Sequence, residues 1–543
     1  METSSPSLPS RIASLVHAHF DALPARSKPT IHPDGSREWV PMSAIVISKR
    51  KNPSSDTLKC VSLATGAKCL SASQIPRCRG LVLHDCHAEI LAIRAFNYWL
   101  LRECQSVLNS ERELLQASAS DDSSSGSPYL RRRVCHPSNQ ASGSQSWPPF
   151  EIQPDVKLYM YCTCAPCGDA SMELCMAAQE DPTPWELPPK TDPKGDELST
   201  TTAPTLLDGR GYFSNLGVVR RKPSRADAES TLSKSCSDKL ALRQVSSLLS
   251  YPTSLLVAPT EASYITALVL PEEEISDVAC ARAFGDGETG RMRGLKGREW
   301  GMGTDGNDHG YRFRPFNILS VPTAEVESLW PFAKPKEVPA SEVALESTNV
   351  SSKGRKKSKV SNTSTVWTAA ASPGAETGAE PARKRSKTSS SSTATNTTGL
   401  QETIINGVKQ GNKASMPTVR GASGLSRAKM WLLLRDIVRP APLDGDARSA
   451  SSAFDKDKEQ FIGSLLNDIA EQRILEAESY EAFKRDPNSC PEWVKLRETA
   501  LQEAKLVLKG WIPNRGDEQW SLENLADMGK PKKKPPGPVD SST

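Results

Sequence analysis

The stretch LVLHDCHAEILAIRAF, residues 81–96, begins as an apolar run and turns helical midway, and at the turn it sets His87 and Glu89 one residue apart. The helix runs on through NYWLLREC, residues 97–104. Upstream, WVPMSAIVIS (39–48) and LKCVSLATG (58–66) read as strands. Downstream, DVKLYMYCTC (155–164) is a β-type run that breaks at APCGDAS and resumes as the helix MELCMAA. KSCSDKLALRQVSSLL (234–249) has a Ser/Asp helix start and a face made by Leu240, Leu242, Val245, Leu248 and Leu249. SLLVAPTEASYITALVL (254–270) reads as two more strands. Strands alternating with helices predict an α/β layered sheet.

Polar, low-complexity sequence interrupts this pattern at about 116–150, 181–205 and 335–420, where too little apolar surface exists to form a core. STVWTA (364–369) is an ordered piece within the last. The remainder predicts helices: Phe461, Ile462, Leu465, Leu466 and Ile469 repeat at the helical period, and a second helix runs through WVKLRETALQEAKLVL to Trp511. The domain plan is an N-terminal extension with a helix (1–37), one domain over 38–525 and a basic tail (526–543).

In 543 residues, 68 Lys and Arg face 64 Asp and Glu, so nucleic-acid affinity must come from local patches rather than a global field. Thirteen cysteines lack the dense spacing of a secreted scaffold, and no signal segment opens the chain. No apolar run approaches the roughly 20 residues that span a bilayer. These features predict a soluble, intracellular protein of the nucleus or cytoplasm, with no membrane and no obligate protein partner. The runs GRKKSK, ARKRSK and KPKKKPP read as nuclear import signals, RNA tethers or plain charged disorder.

A catalytic zinc takes three protein ligands and leaves one position open, so His87 needs two partners. Cys167 follows Pro166 at a strand-to-helix turn, where a helix N-terminus favours a thiolate. This is half of the His-x-Glu and Pro-Cys-x-x-Cys signature of zinc nucleobase deaminases; the position three after Cys167 is Ala170. Cys164, Cys175 and Cys236 remain as third ligands, and of these only Cys236 also begins a helix. The competing reading takes Cys164 and Cys167 as half of a structural zinc site.

Taken in order, DCHAEI (85–90), PCGDAS (166–171) and SCSDKLA (235–241) resemble the adenosine deaminases that act on RNA. The tRNA-specific members are the nearer resemblance, through GVVRRKPSRAD (217–227). The resemblance implies a cytidine-deaminase-like α/β fold with helices on its faces and a helical C-terminal portion. It implies zinc on His87, Cys167 and Cys236 and hydrolytic conversion of adenosine 37, beside the anticodon of alanine tRNA, to inosine. Zinc would lower the pKa of a water for attack at C6 of adenine, and Glu89 would carry the protons.

The resemblance further implies a buried inositol hexakisphosphate held by Arg94, Lys239, Arg427, Lys484, Lys505 and Trp511, since so dense an anion needs a converging cationic cage. Ile93 and Leu242 depart from it, standing where relatives carry basic residues. Arg220, Arg221, Lys222 and Arg225 lie where they would grip RNA phosphates, and Lys68 matches a pocket-side segment. The rival expectations are a deaminase editing double-stranded or messenger RNA, a catalytically silent RNA-binding paralogue and a structural zinc protein.

Overall fold

Side chains alternate along three adjacent strands of the sheet. In the first, Met42, Ala44 and Val46 point to one face and Ile45 and Ile47 to the other; Tyr159 and Tyr161 oppose Leu158 and Met160 in the next, and Ala267 and Val269 oppose Leu268 and Leu270 in the third. With a period of two and both faces apolar, the sheet must be covered on both sides.

The computed structural model describes residues 6–33, 36–52, 55–117, 126–133, 148–178, 207–209, 213–222, 229–301, 310–335, 359–372, 399–439, 468–488 and 490–527. Its main sheet has eight strands: β1 (Met42–Asn52), β2 (Ser55–Thr65), β3 (Val156–Cys162), β4 (Ile265–Pro271), β5 (Asn317–Val321), β6 (Thr363–Thr368), β7 (Gln401–Ile405) and β8 (Val408–Lys409), in the order β5-β4-β3-β1-β2-β6-β7-β8. β4 is parallel to β3 and β5, and the other pairings are antiparallel.

Helix α1 (Leu8–Asp21) covers one face, burying Ile12, Ala13, Val16 and Phe20 against Trp330 and the sheet. Helices α2 (Ala88–Ala117) and α4 (Cys236–Ser246) cover the other, with Phe96, Trp99, Leu100, Leu240 and Val245 in the larger core. Each such side chain contributes about 1.5–3 kcal/mol on burial. Helix α5 (Asp277–Phe284) packs against α4, and the short α3 (Met172–Ala177) follows the turn that carries Cys167. The C-terminal helices Arg427–Val438, Asp468–Glu476, Tyr480–Arg485 and Glu492–Leu508 close over the α2/α4 side, with Trp431 stacked on Phe483 at 4.7 Å between ring centroids. Among the described residues no helix is long and apolar enough to cross a membrane.

Several expectations need correction. Residues 254–270 hold one strand, not two: Thr253–Leu255 is a 3-10 turn, and Val257 makes only an isolated bridge to Phe150. The interruption at 116–150 contains Leu130–Arg132, paired with Phe150–Ile152. The interval 335–420 supplies β6 at the predicted STVWTA, and also β7 and β8, because Ile404 and Val408 bury against the sheet. The N-terminal helix belongs to the core rather than to an extension. Phe461, Ile462, Leu465 and Leu466, the interval 181–205, ARKRSK, the tail from 528 and all but Lys359 of GRKKSK lie outside the described residues.

Candidate active site

Three turns converge at one end of the sheet. The first is the junction read from residues 81–96, where a short strand, Asp85–His87, pairs with Ala67–Cys69 and runs directly into α2. His87 ends the strand, its backbone N–H donating to Asp85 Oδ1 at 3.0 Å. The second turn leaves β3 and carries Cys167. The third is the start of α4, where Ser235 is the N-cap, its Oγ accepting from the Asp238 N–H at 3.1 Å.

The second and third turns are fastened together. The Ser237 N–H donates to the Cys167 carbonyl at 3.0 Å, and Ser237 Oγ accepts from the Ala170 N–H at 3.1 Å. Gly168 sits at φ +104°, and a Cβ there would lie 2.2 Å from Ser235 Oγ. Only glycine meets both demands, the left-handed φ and the close approach.

The result brings His87, Cys167 and Cys236 together, their ligating atoms all within 4.8 Å of one another. His87 Nδ1 is 3.8 Å from Cys167 Sγ and 3.6 Å from Cys236 Sγ. Bonds of about 2.0–2.1 Å to nitrogen and 2.3 Å to sulfur, at the tetrahedral angle, require a nitrogen–sulfur separation of roughly 3.6 Å. The donor set therefore fits zinc in type and spacing. Of the alternatives for the third cysteine, Cys164 and Cys175 are not in this cluster.

The two sulfurs do not titrate alike. A hydrogen bond from Cys236, against burial and helped by Lys222 and His87, holds Cys167 well below the usual thiol range, while burial pushes Cys236 up. Lys222 Nζ donates to Cys236 Sγ at 3.2 Å and to Asp85 Oδ2 at 3.0 Å. Glu89, in the first turn of α2, is 3% exposed, and its Oε2 has no hydrogen-bond partner among the described residues. Burial, followed by the Cys167 thiolate, raises its pKa above the ordinary carboxylate value.

Asp85 forms a wall between this cluster and a cavity of about 370 Å³. All six residues expected to hold a polyanion line it: Arg94, Lys239, Arg427, Lys484, Lys505 and Trp511. Arg243 and Arg497 line it as well and were missed by sequence reasoning. Helical spacing was the available signal, because Arg243 lies four residues after Lys239 on α4, and Arg497 eight before Lys505 on the last long helix. Ile93 and Leu242 also line the cavity, so Arg243 and Arg497 supply cations that those two positions lack.

Asp85 is the one carboxylate among the lining residues, and it is committed to Lys222 and Lys239. Burial and neighbouring cations, Arg427 first, push Lys484 down to about 7. Burial, then Arg497 and Arg94, push Arg243 down to about 9. Unbalanced cations this crowded fit a dense anion.

The expected RNA contacts divide. Lys68 pairs through its backbone with Cys86 in the hairpin beside His87. Arg221 is half-buried. Arg220 is buried, with an Nη2 donating to the Asn215 carbonyl at 2.6 Å, and Lys222 is buried against Asp85 and Cys236. Those two side chains are turned inward to internal acceptors rather than outward to phosphates. Arg225 lies outside the described residues.

A helix-mouth carboxylate beside an imidazole and two cysteines, on a layered α/β sheet, defines the class of hydrolytic nucleobase deaminases. The adenosine-deaminase (editase) domain family matches residues 62–512, and the chain belongs to that family. The tRNA-specific adenosine deaminase 1 of Schizosaccharomyces pombe is 35% identical over 311 residues, covering 57% of this chain and 67% of that protein. The protein of the same name from Saccharomyces cerevisiae is 32% identical over 265 residues, covering 48% and 59%. Similarity to the double-stranded RNA-specific editase B2 of Mus musculus is narrower, 28% over 110 residues, covering 20% of this chain and 12% of that protein.

Proposed function

We propose that the protein converts adenosine to inosine in tRNA, at position 37 beside the anticodon of alanine tRNA, by hydrolysis. Adenosine and water give inosine and ammonia. The observation that carries the reading is the convergence of His87, Cys167 and Cys236 at zinc-ligand spacing beside the buried Glu89, whose Oε2 has no hydrogen-bond partner among the described residues. Zinc, when held by those three residues, supplies Lewis-acid activation of water for attack at C6.

The chain's own groups do the rest. Glu89 takes the proton from the attacking water and returns protons to the ring nitrogen and to the departing ammonia. Its burial keeps the carboxyl basic enough for both transfers. Asp85 and Lys222 brace the site from behind, Lys222 placing positive charge against Cys236. An anticodon-loop adenosine is already partly unstacked, which lowers the cost of bringing it into the pocket. Lys68 and Arg221, and Arg225 from the same sequence segment, bind the flanking RNA.

Arg94, Lys239, Arg243, Arg427, Lys484, Arg497, Lys505 and Trp511, which line the cationic cavity, would hold inositol hexakisphosphate. There it would serve as a structural anion, neutralising side chains that otherwise repel one another. A tRNA substrate is met inside the cell, in nucleus or cytoplasm.

Purified protein incubated with unmodified tRNA transcripts and, separately, with duplex RNA, followed by inosine mapping, tests the substrate. Inosine at position 37 of alanine tRNA is expected. Inosine confined to the duplex would favour an editase, and none in either, with zinc bound, a silent paralogue. Phosphorus analysis of the purified chain tests the polyanion, with about one inositol hexakisphosphate per chain expected if the buried cations are to be neutralised.

A further inference from the structure

The two cysteine-bearing turns repeat one pattern: Asp169 stands two residues after Cys167, and Asp238 two after Cys236. Both aspartates are fully buried, at 0% exposure. Each has anchors of its own. Asp169 Oδ1 accepts from Arg282 Nε at 3.0 Å and from the Gly217 N–H at 2.8 Å. Asp238 Oδ2 accepts from Ser235 Oγ at 2.6 Å and from the Arg220 N–H at 3.0 Å.

Their other oxygens face a single guanidinium. Arg291 Nη1 donates to Asp238 Oδ1 at 2.6 Å, and Arg291 Nε lies 3.9 Å from Asp169 Oδ2 while donating to the Ala283 carbonyl at 3.2 Å. The Arg291 side chain is 4% exposed, and Asp169 Oδ2 has no hydrogen-bond partner among the described residues, so its contact with Arg291 is ionic.

We propose that Arg291 is a positioning residue that sets the spacing of Cys167 and Cys236 by bridging Asp169 and Asp238. The inference rests on the reading of those cysteines as zinc ligands. Rotation of either turn moves a sulfur and the aspartate two residues beyond it together. A rigid, permanently charged fork between the aspartates resists such rotation, where a single polar contact would not. His87 arrives from a separate hairpin, so the spacing of the sulfurs has to be fixed by the turns that carry them. Outer groups that orient metal ligands in this way affect metal affinity by about 10–100-fold.

The test uses the full-length protein, with zinc affinity measured by chelator competition, thermal unfolding, and kcat and KM on tRNA. Arg291→Gln should weaken zinc binding by about 10–100-fold and lower kcat at limiting zinc while leaving KM near the wild-type value. Arg291→Lys, which keeps the buried charge but shortens its reach, should fold and show a smaller loss. The pair Arg291→Gln with Asp238→Asn removes charge from both sides, guards against a misfolded single variant, and should also bind zinc weakly. Val16→Ala, buried beneath the opposite face of the sheet, should lower Tm with zinc affinity unchanged. Wild-type zinc affinity in Arg291→Lys or in the double variant overturns the proposal. The zinc reading itself fails separately, if wild-type protein binds no zinc or Cys236→Ala retains it.

Discussion

The cysteine–histidine cluster and the cationic cavity share the wall made by Asp85, yet they are built on opposite principles. In the cluster, polar groups satisfy one another: backbone N–H groups, a serine hydroxyl and Lys222 are all directed at the two cysteines and their turns. In the cavity, lysines and arginines from five helices converge with one committed carboxylate among the lining residues. The turns of the first are held by hydrogen bonds within the chain, whereas the cations of the second lack matching carboxylates among the residues that line it. Substitutions in the two regions should therefore behave differently, and the largest effect belongs to the cluster.

Glu89→Gln keeps the shape of the side chain and removes its basicity. Inosine formation should fall by about 10²–10⁴ while zinc content stays at the wild-type level, since Glu89 is not among the clustered ligand atoms. Loss of zinc together with activity would make Glu89 a structural group. Gly168→Ala tests how tightly the cluster is built. A methyl group 2.2 Å from Ser235 Oγ, on a backbone at φ +104°, should cost about 2–4 kcal/mol, the sum of backbone strain and overpacking. Gly217→Ala, at φ +74° with its nearest neighbour 3.8 Å away, should cost only about 1–2 kcal/mol. Equal unfolding free energies for the two variants would show that the turns are less tightly fastened than their geometry requires.

The contrast also explains what the sequence disclosed. The sheet was legible because alternation survives in β1 and β3, and the junction at 81–96 because a strand runs into a helix without a loop. His87, Glu89 and Cys167 were legible as a motif; Cys236 needed the resemblance, since Cys164 and Cys175 competed with it until the fold brought α4 against the Cys167 turn. The cavity was only partly legible, because Arg243 and Arg497 acquire meaning when two helices distant in sequence face one space. Lys222 was misread in its direction: a basic residue in an Arg-Arg-Lys run suggests a solvated loop, and Asp85, lying 137 residues away in sequence, turns it inward. The C-terminal edge of the sheet was missed because β7 and β8 are short and follow a long polar tract.

Arg497→Met should have opposite signs in two states. With the polyanion bound, removing a charged partner should cost about 1.5–3 kcal/mol of stability and lower phosphorus content. With the polyanion stripped, the same change should raise Tm, because it removes one of the cations crowding Lys484. A drop in Tm in both states would mean that Arg497 acts through packing, including its donation to the Leu249 carbonyl at 3.4 Å, rather than through charge.

The smallest effect per step is a pH dependence of the stripped protein. Lys484 falls from an ordinary 10.5 to about 7 when it folds into the empty cavity, through burial and then the nearby arginines. Between those values the unfolded chain binds the proton and the folded chain does not. Stability should therefore rise with pH across that window, by at most about 1.4 kcal/mol per pH unit, and be lost progressively as pH falls from 10.5 towards 7. A bound polyanion restores the charge on Lys484 in the folded state and removes the difference in proton uptake. Thermal unfolding from pH 7 to 10 should therefore show a slope in the stripped protein that is weaker when the anion is present and weaker in stripped Lys484→Met. The same slope in all three samples would assign it to other groups and leave the cavity without the electrostatic strain that sets it apart from its neighbour.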